Sequence, residues 1–263
     1  MSRNALAPIA VSVGVGAATY WAISNSGLDW SMFRPATCMP DACFCEAVRG
    51  GSIRQPANTV SGFAFLPVAA LVLHYRGTRR AGQSINPLRD QPAYAWLFAL
   101  AITLVGIGTA SYHASLTFVG QTADVFGMYL VATLLVVYNT ARLRPLPLHI
   151  AASVYVFGNV LLLAVLVYAP AARRYVFAAL VLTVIGLEVT VRARRRVASD
   201  RRYFVTAVAV MATGFAIWLL DITRIACVPS SLVQGHAVWH VLSASALMFV
   251  FLYYRSENAE GQA

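Results

Sequence analysis

The sequence predicts an all-α fold, a polytopic transmembrane helical bundle, on three observations. Of 263 residues, 59% are hydrophobic and 11% charged, and the mean hydropathy is +0.66. Soluble domains carry about 25% charged residues. Eight stretches, near 5–24, 57–75, 93–112, 122–141, 148–168, 175–192, 203–223 and 236–254, approach the roughly 20 apolar residues needed to cross hydrocarbon. The 20 basic residues are all arginine, and they cluster in alternate loops.

That alternation orients the spans. With the amino terminus inside, fourteen arginines lie inside: Arg3; Arg76, Arg79, Arg80 and Arg89; Arg142 and Arg144; Arg192, Arg194, Arg195, Arg196, Arg201 and Arg202; and Arg255. Six lie outside: Arg34, Arg49, Arg54, Arg173, Arg174 and Arg224. The positive-inside rule then gives eight spans with both ends cytoplasmic, in an inner or plasma membrane. The net charge of +10 therefore reads as a topology signal and a contact for anionic lipid. It does not read as a nucleic-acid surface, since no interleaved aromatic or groove-reading motif accompanies it. No obligate protein partner is evident.

The first segment, after Arg3, lacks a clear A-x-A cleavage site and reads as a retained helix, a cleaved signal peptide being the alternative. Cys38, Cys43 and Cys45 follow in the first outside loop, and Cys227 lies in the last one. An even set of thiols on the oxidising side permits disulfides in three pairings. The stretch CFCEAVRGGSIRQPANTVSG then places Glu46 outside and Asn58 and Ser61 at the outer end of the second span. The third span runs outward through GIGTASYHASL, bringing Thr109 and His113 to the outer boundary. A short turn, TFVGQ, reverses the chain, and Asp124 opens the fourth span at the same depth. Glu188, near the inner end of the sixth span, is explained by a local i, i+4 pair with Arg192. The seventh span ends WLLDITRIAC, with Asp221 near its outer end, and the eighth begins HAVWH.

Every polar element thus converges on one leaflet, where the spacing suits a metal. His236 and His240 are four residues apart, so their imidazoles leave one helix face about one turn apart. Zinc takes histidine nitrogen at roughly 2.0–2.1 Å, and a third histidine leaves one tetrahedral position for water. His113 is the remaining histidine on that side; His74 and His149 sit at the inner boundary and read as interfacial side chains. Histidine pairs at this spacing also occur on ordinary helices. Ionisable groups within spans are costly, however, so His113, Asp124 and Asp221 beside the pair indicate function. Asp221 could equally pack helices or orient a ligating histidine.

Three blocks together resemble the alkaline ceramidase family: Cys45–Glu46 followed by Asn58 to Ser61, GIGTASYHASLTFVGQTAD, and Asp221, Cys227 and HAVWH. The resemblance runs from about residue 43 to 250, reads as a bacterial-type member, and belongs to a superfamily of seven-helix membrane hydrolases with the adiponectin-receptor-like proteins. It implies a seven-helix core over 31–255, an added N-terminal span over 1–30 and a short polar tail over 256–263. It further implies that His113, His236 and His240 bind catalytic zinc and that Asp124 handles the water proton. Thr109 stands where the family usually has serine, and it keeps a hydroxyl. Cys45 and Cys227 match positions that family members join as a disulfide. Glu46 alone clearly matches the calcium site of the eukaryotic members. Gln55 replaces an expected glutamate and Asp41 is out of register, so calcium regulation is not predicted.

The implied reaction is zinc-dependent hydrolysis of a membrane lipid amide, ceramide first, near the non-cytoplasmic face. Alternatives are the same chemistry on another acyl lipid, or a zinc-containing receptor or sensor without catalysis. A transporter would place polar groups near the midplane and show internal repeats, and the sequence shows neither.

Overall fold

A computed structural model of the chain describes residues 5–39, 43–76, 88, 91–144, 146–194 and 197–259. Asp41 and six of the arginines used for orientation (Arg3, Arg79, Arg80, Arg89, Arg195 and Arg196) lie outside the described residues. Eight helical spans among the described residues are long and apolar enough to cross a membrane. They are built from α1 (Leu6–Ser24), α2 (Pro56–Gly62), α3 (Phe65–Tyr75), α4 (Pro92–Ser115), α5 (Phe118–Leu143), α6 (Leu148–Tyr168), α7 (Arg173–Arg194), α8 (Arg201–Ile222) and α9 (Gly235–Arg255). This is the all-α membrane bundle that the hydropathy predicts.

The second span is two helices rather than one. Pro67 has no N–H to donate to the Phe63 carbonyl, and its ring would clash there. The chain tightens instead: Phe63, Ala64 and Leu66 each donate to the carbonyl three residues back, and α3 starts anew at Phe65. Proline at the first position of α2 and of α4 removes an N–H that would have no intrahelical partner.

The connection from α4 to α5 is shorter than TFVGQ suggests. Thr117 caps α5, its Oγ1 accepting from the Gly120 amide at 3.1 Å, so most of that stretch is already helical. Leu116 makes the reversal alone, at φ 50°, in the left-handed region that side chains avoid. A strap just after α1 holds it there. The Ala36 amide donates to the Leu116 carbonyl at 2.9 Å, and the Phe118 amide donates to the Arg34 carbonyl at 2.8 Å. Asp124 consequently sits in the second turn of α5.

Helices α4 and α5 approach closely because Gly108 lies against the backbone of α5. A Cβ there would stand 2.7 Å from the Ala123 carbonyl oxygen and 2.9 Å from the Asp124 nitrogen. The bundle is asymmetric beyond this pair. α3 packs on α4, α5 on α7, and α8 on α9, whereas the consecutive helices α7 and α8 barely touch.

At the end of the bundle away from Asp124, a buried charge cluster joins three segments. Arg142 of α5 pairs with Glu188 of α7 and with Glu257 beyond α9. Tyr253 donates to Glu188 and accepts from Arg192 and Ser199, each at 3.2 Å. The local Glu188–Arg192 pair expected from spacing is therefore corrected: burial next to α5 gives Glu188 a cation from another helix. A two-residue ladder, β1 (Val197–Ala198) with β2 (Asn258–Ala259), ties the α7–α8 connection to the tail.

Candidate metal centre

Antiparallel neighbours bring five helix ends together. α2 and α9 begin at this end of the bundle, α4 and α8 finish there, and α5 starts from the Leu116 reversal. His113, His236 and His240 meet among them, all buried, with one potential ligand atom from each lying within 4.8 Å of the others. Asp124 is not part of that group. It is half-buried and accepts a 2.5 Å hydrogen bond from the Thr109 hydroxyl, which lies one turn before His113 on α4.

The hydrogen bonds around the histidines assign their tautomers. Gln55 is fully buried, and its Nε2 donates to the Glu46 carbonyl at 3.0 Å. A carbonyl can only accept, so the amide is oriented and Oε1 faces His113. His113 Nδ1 donates to that oxygen at 2.8 Å, leaving Nε2 with its lone pair free. Ser61 spends its single hydrogen on the Asn58 carbonyl at 2.9 Å, so His240 Nδ1 must donate to Ser61 Oγ at 2.8 Å. His240 Nε2 is then likewise an acceptor. Buried His113 Nε2 and His236 Nδ1 have no partner within the protein. Unsatisfied buried ring nitrogens on His113 and His236, with Nδ1 of His113 and of His240 held by neutral acceptors, suit a bound divalent cation. The donor set fits zinc.

The remaining predicted residues frame the centre. The Asp221 carboxylate accepts the Cys45 amide on one oxygen and the His236 amide on the other, both at 3.0 Å. It thus holds the backbone of a histidine rather than its ring. Both Glu46 oxygens accept amides of the first turn of α2, from Ala57 at 2.7 Å and Asn58 at 2.9 Å. Burial pushes the Glu46 carboxyl above its ordinary pKa, and these two amides pull it back. Glu46 is thereby a helix cap with both oxygens engaged. Cys45 is joined to Cys227 and Cys38 to Cys43, so no described cysteine is free.

Two residues here were not singled out for these roles by the sequence. Gln55 orients His113, and Phe44 stacks on His236 with ring centroids 3.7 Å apart. The position of Gln55, ahead of the proline that opens α2, was the one available signal for it.

Comparison with known proteins now bears on this geometry. The family described as Ceramidase matches residues 41–262. The chain belongs to the ceramidase family. Membership implies a hydrolase acting on lipid amides, and the eight apolar spans fit an integral membrane protein. No curated protein matches the chain. The family match includes α2 to α9, and with them all three histidines, Asp124, and Gln55, and it begins after α1.

Proposed function

We propose that the chain is a zinc-dependent hydrolase that cleaves the amide bond of a membrane lipid, with ceramide as substrate and a sphingoid base and a fatty acid as products. The observation that carries this reading is the three-histidine group with an adjacent carboxylate outside it. Three protein ligands leave a position open, as catalytic zinc sites do, whereas structural sites close with four. When bound there, zinc would raise the acidity of a water and polarise the amide carbonyl.

The chain's own residues would do the rest. Gln55 and Ser61 hold His113 and His240 in the tautomers that present Nε2. Asp124 takes the water proton and returns it to the leaving amine, as a positioned general base and acid. Thr109 has one hydrogen, and it is given to Asp124 while that carboxylate is charged. Protonation makes the carboxyl a weaker acceptor, which frees the Thr109 hydrogen for the oxyanion that develops on the substrate. Acyl chains would enter from the bilayer between α7 and α8, consecutive helices that barely touch. The arginine distribution supports a site at the non-cytoplasmic face, with the C-terminus cytoplasmic.

The test is turnover of ceramide by purified protein, with metal content measured on the same samples. Wild type should hold one zinc per chain and release fatty acid. His113→Ala should lose both properties. Asp124→Asn should keep the zinc while turnover falls by about 10²–10⁴-fold. Full turnover by Asp124→Asn would sink the proton-transfer assignment. A zinc-loaded wild type that leaves ceramide and other N-acyl lipids intact would sink the activity.

A further inference from the structure

We infer that Phe44 is the seal of the three-histidine centre, governing exchange of its metal with bulk solvent, and that two disulfides hold it in place. The inference rests on the metal reading proposed above and concerns a residue to which that reading gives no role.

The Phe44 ring lies on the His236 imidazole at 3.7 Å between centroids and 20° between planes. It is 5.1 Å from the His113 ring and meets Tyr112 edge-on at 6.1 Å. At a 3.7 Å stack no water fits between the rings. Phenylalanine also has no atom that could ligate a metal or relay a proton. A coordinated cation would draw electron density from the imidazole and strengthen its attraction to the phenyl face.

The backbone on either side of this ring is fixed with unusual completeness. Cys43 before it is bonded to Cys38, and Cys45 after it is bonded to Cys227 in the connection between α8 and α9. The Cys45 amide donates to one oxygen of Asp221, while the other oxygen takes the amide of His236. Phe44 and the histidine it covers are therefore referenced to the same carboxylate. On the other side, Cys38 Sγ lies 3.0 Å from the Tyr112 hydroxyl, next to the helix turn that carries His113. Without these anchors, a loop residue stacked on a ligand would exchange freely with solvent. With them, the ring becomes a fixed wall.

The test measures zinc release from the full-length, zinc-loaded protein into an excess of a chromogenic chelator. Phe44→Ala should release zinc about 10- to 100-fold faster than wild type, if the affinity typically lost when groups supporting metal ligands are removed is lost through faster release. Phe44→Trp, which restores a ring, should release it at close to the wild-type rate. Cys38→Ser/Cys43→Ser should accelerate release while leaving Phe44 itself unchanged. Trp30→Phe serves as the control, since Trp30 Nε1 bonds the Ser52 carbonyl in the same region without touching the histidines. It should not change the rate. Should Phe44→Ala not fold, Phe44→Leu, apolar but without a ring, carries the same comparison. Release from Phe44→Ala or Phe44→Leu at the wild-type rate overturns the inference, as does equal acceleration by Trp30→Phe. A wild-type chain that binds no zinc overturns the metal reading, and this inference falls with it.

Discussion

Gln55 serves His113 as Ser61 serves His240: each accepts the Nδ1 hydrogen and leaves Nε2 facing the centre. Gln55→Leu keeps the bulk and removes the acceptor, so zinc affinity should fall about 10- to 100-fold in a competition titration. Thr109 invites a sharper comparison. Thr109→Ser keeps the hydroxyl that Asp124 accepts and should retain most turnover. Thr109→Val, nearly the same shape, should lose about 10²–10³-fold in kcat, the usual scale for an oxyanion donor. Equal rates for Ser and Val would remove Thr109 from the chemistry. The histidines and Asp124 were legible in the sequence because a polar group in an apolar span is costly and therefore conspicuous. Gln55 and Phe44 were not, because their meaning lies in partners reached only when loops fold over the helix ends. A glutamine or phenylalanine in a loop is commonplace until its contacts are known.

Elements were legible to the extent that the bilayer dictates them. Hydrocarbon thickness sets span length, so hydropathy located all eight spans; their ends follow rules of another kind. The break in the second span depends on the missing amide of Pro67, and the short α4–α5 reversal depends on the Thr117 cap and the strap that holds Leu116. The closeness of α4 and α5 bears on the proposed chemistry, since the Thr109–Asp124 hydrogen bond crosses between them. Gly108→Ala would push a methyl group into the Ala123 carbonyl. We expect a loss of about 1–3 kcal/mol in unfolding free energy, the usual cost of overpacking. Turnover should fall more than stability alone explains. A variant with unchanged turnover would show that α4 and α5 can separate without disturbing the site.

The whole molecule is fastened at both ends by groups distant in sequence. One end holds the histidines, Asp221 and the Cys45–Cys227 bond. The other holds Arg142 between Glu188 and Glu257. Arg142→Met removes the cation that two buried carboxylates share, and should cost about 3–5 kcal/mol in denaturant unfolding in detergent. Replacing Arg142, Glu188 and Glu257 together by apolar residues of similar size should restore much of that loss. Charge alternation along the chain speaks to the orientation of the spans, but not to this cluster, because spacing pointed Glu188 to its own helix. The cluster also has a consequence for synthesis at the ribosome. Arg142 and Glu188 enter the bilayer long before Glu257 exists, and His113 is in place well before His236 and His240 emerge. A nascent chain released after α8 would therefore carry the Arg142–Glu188 pair without Glu257 at one end and a lone histidine at the other. Only the last helix and the residues just beyond it complete both ends, so a translating ribosome must deliver α9 and Glu257 before either end is assembled.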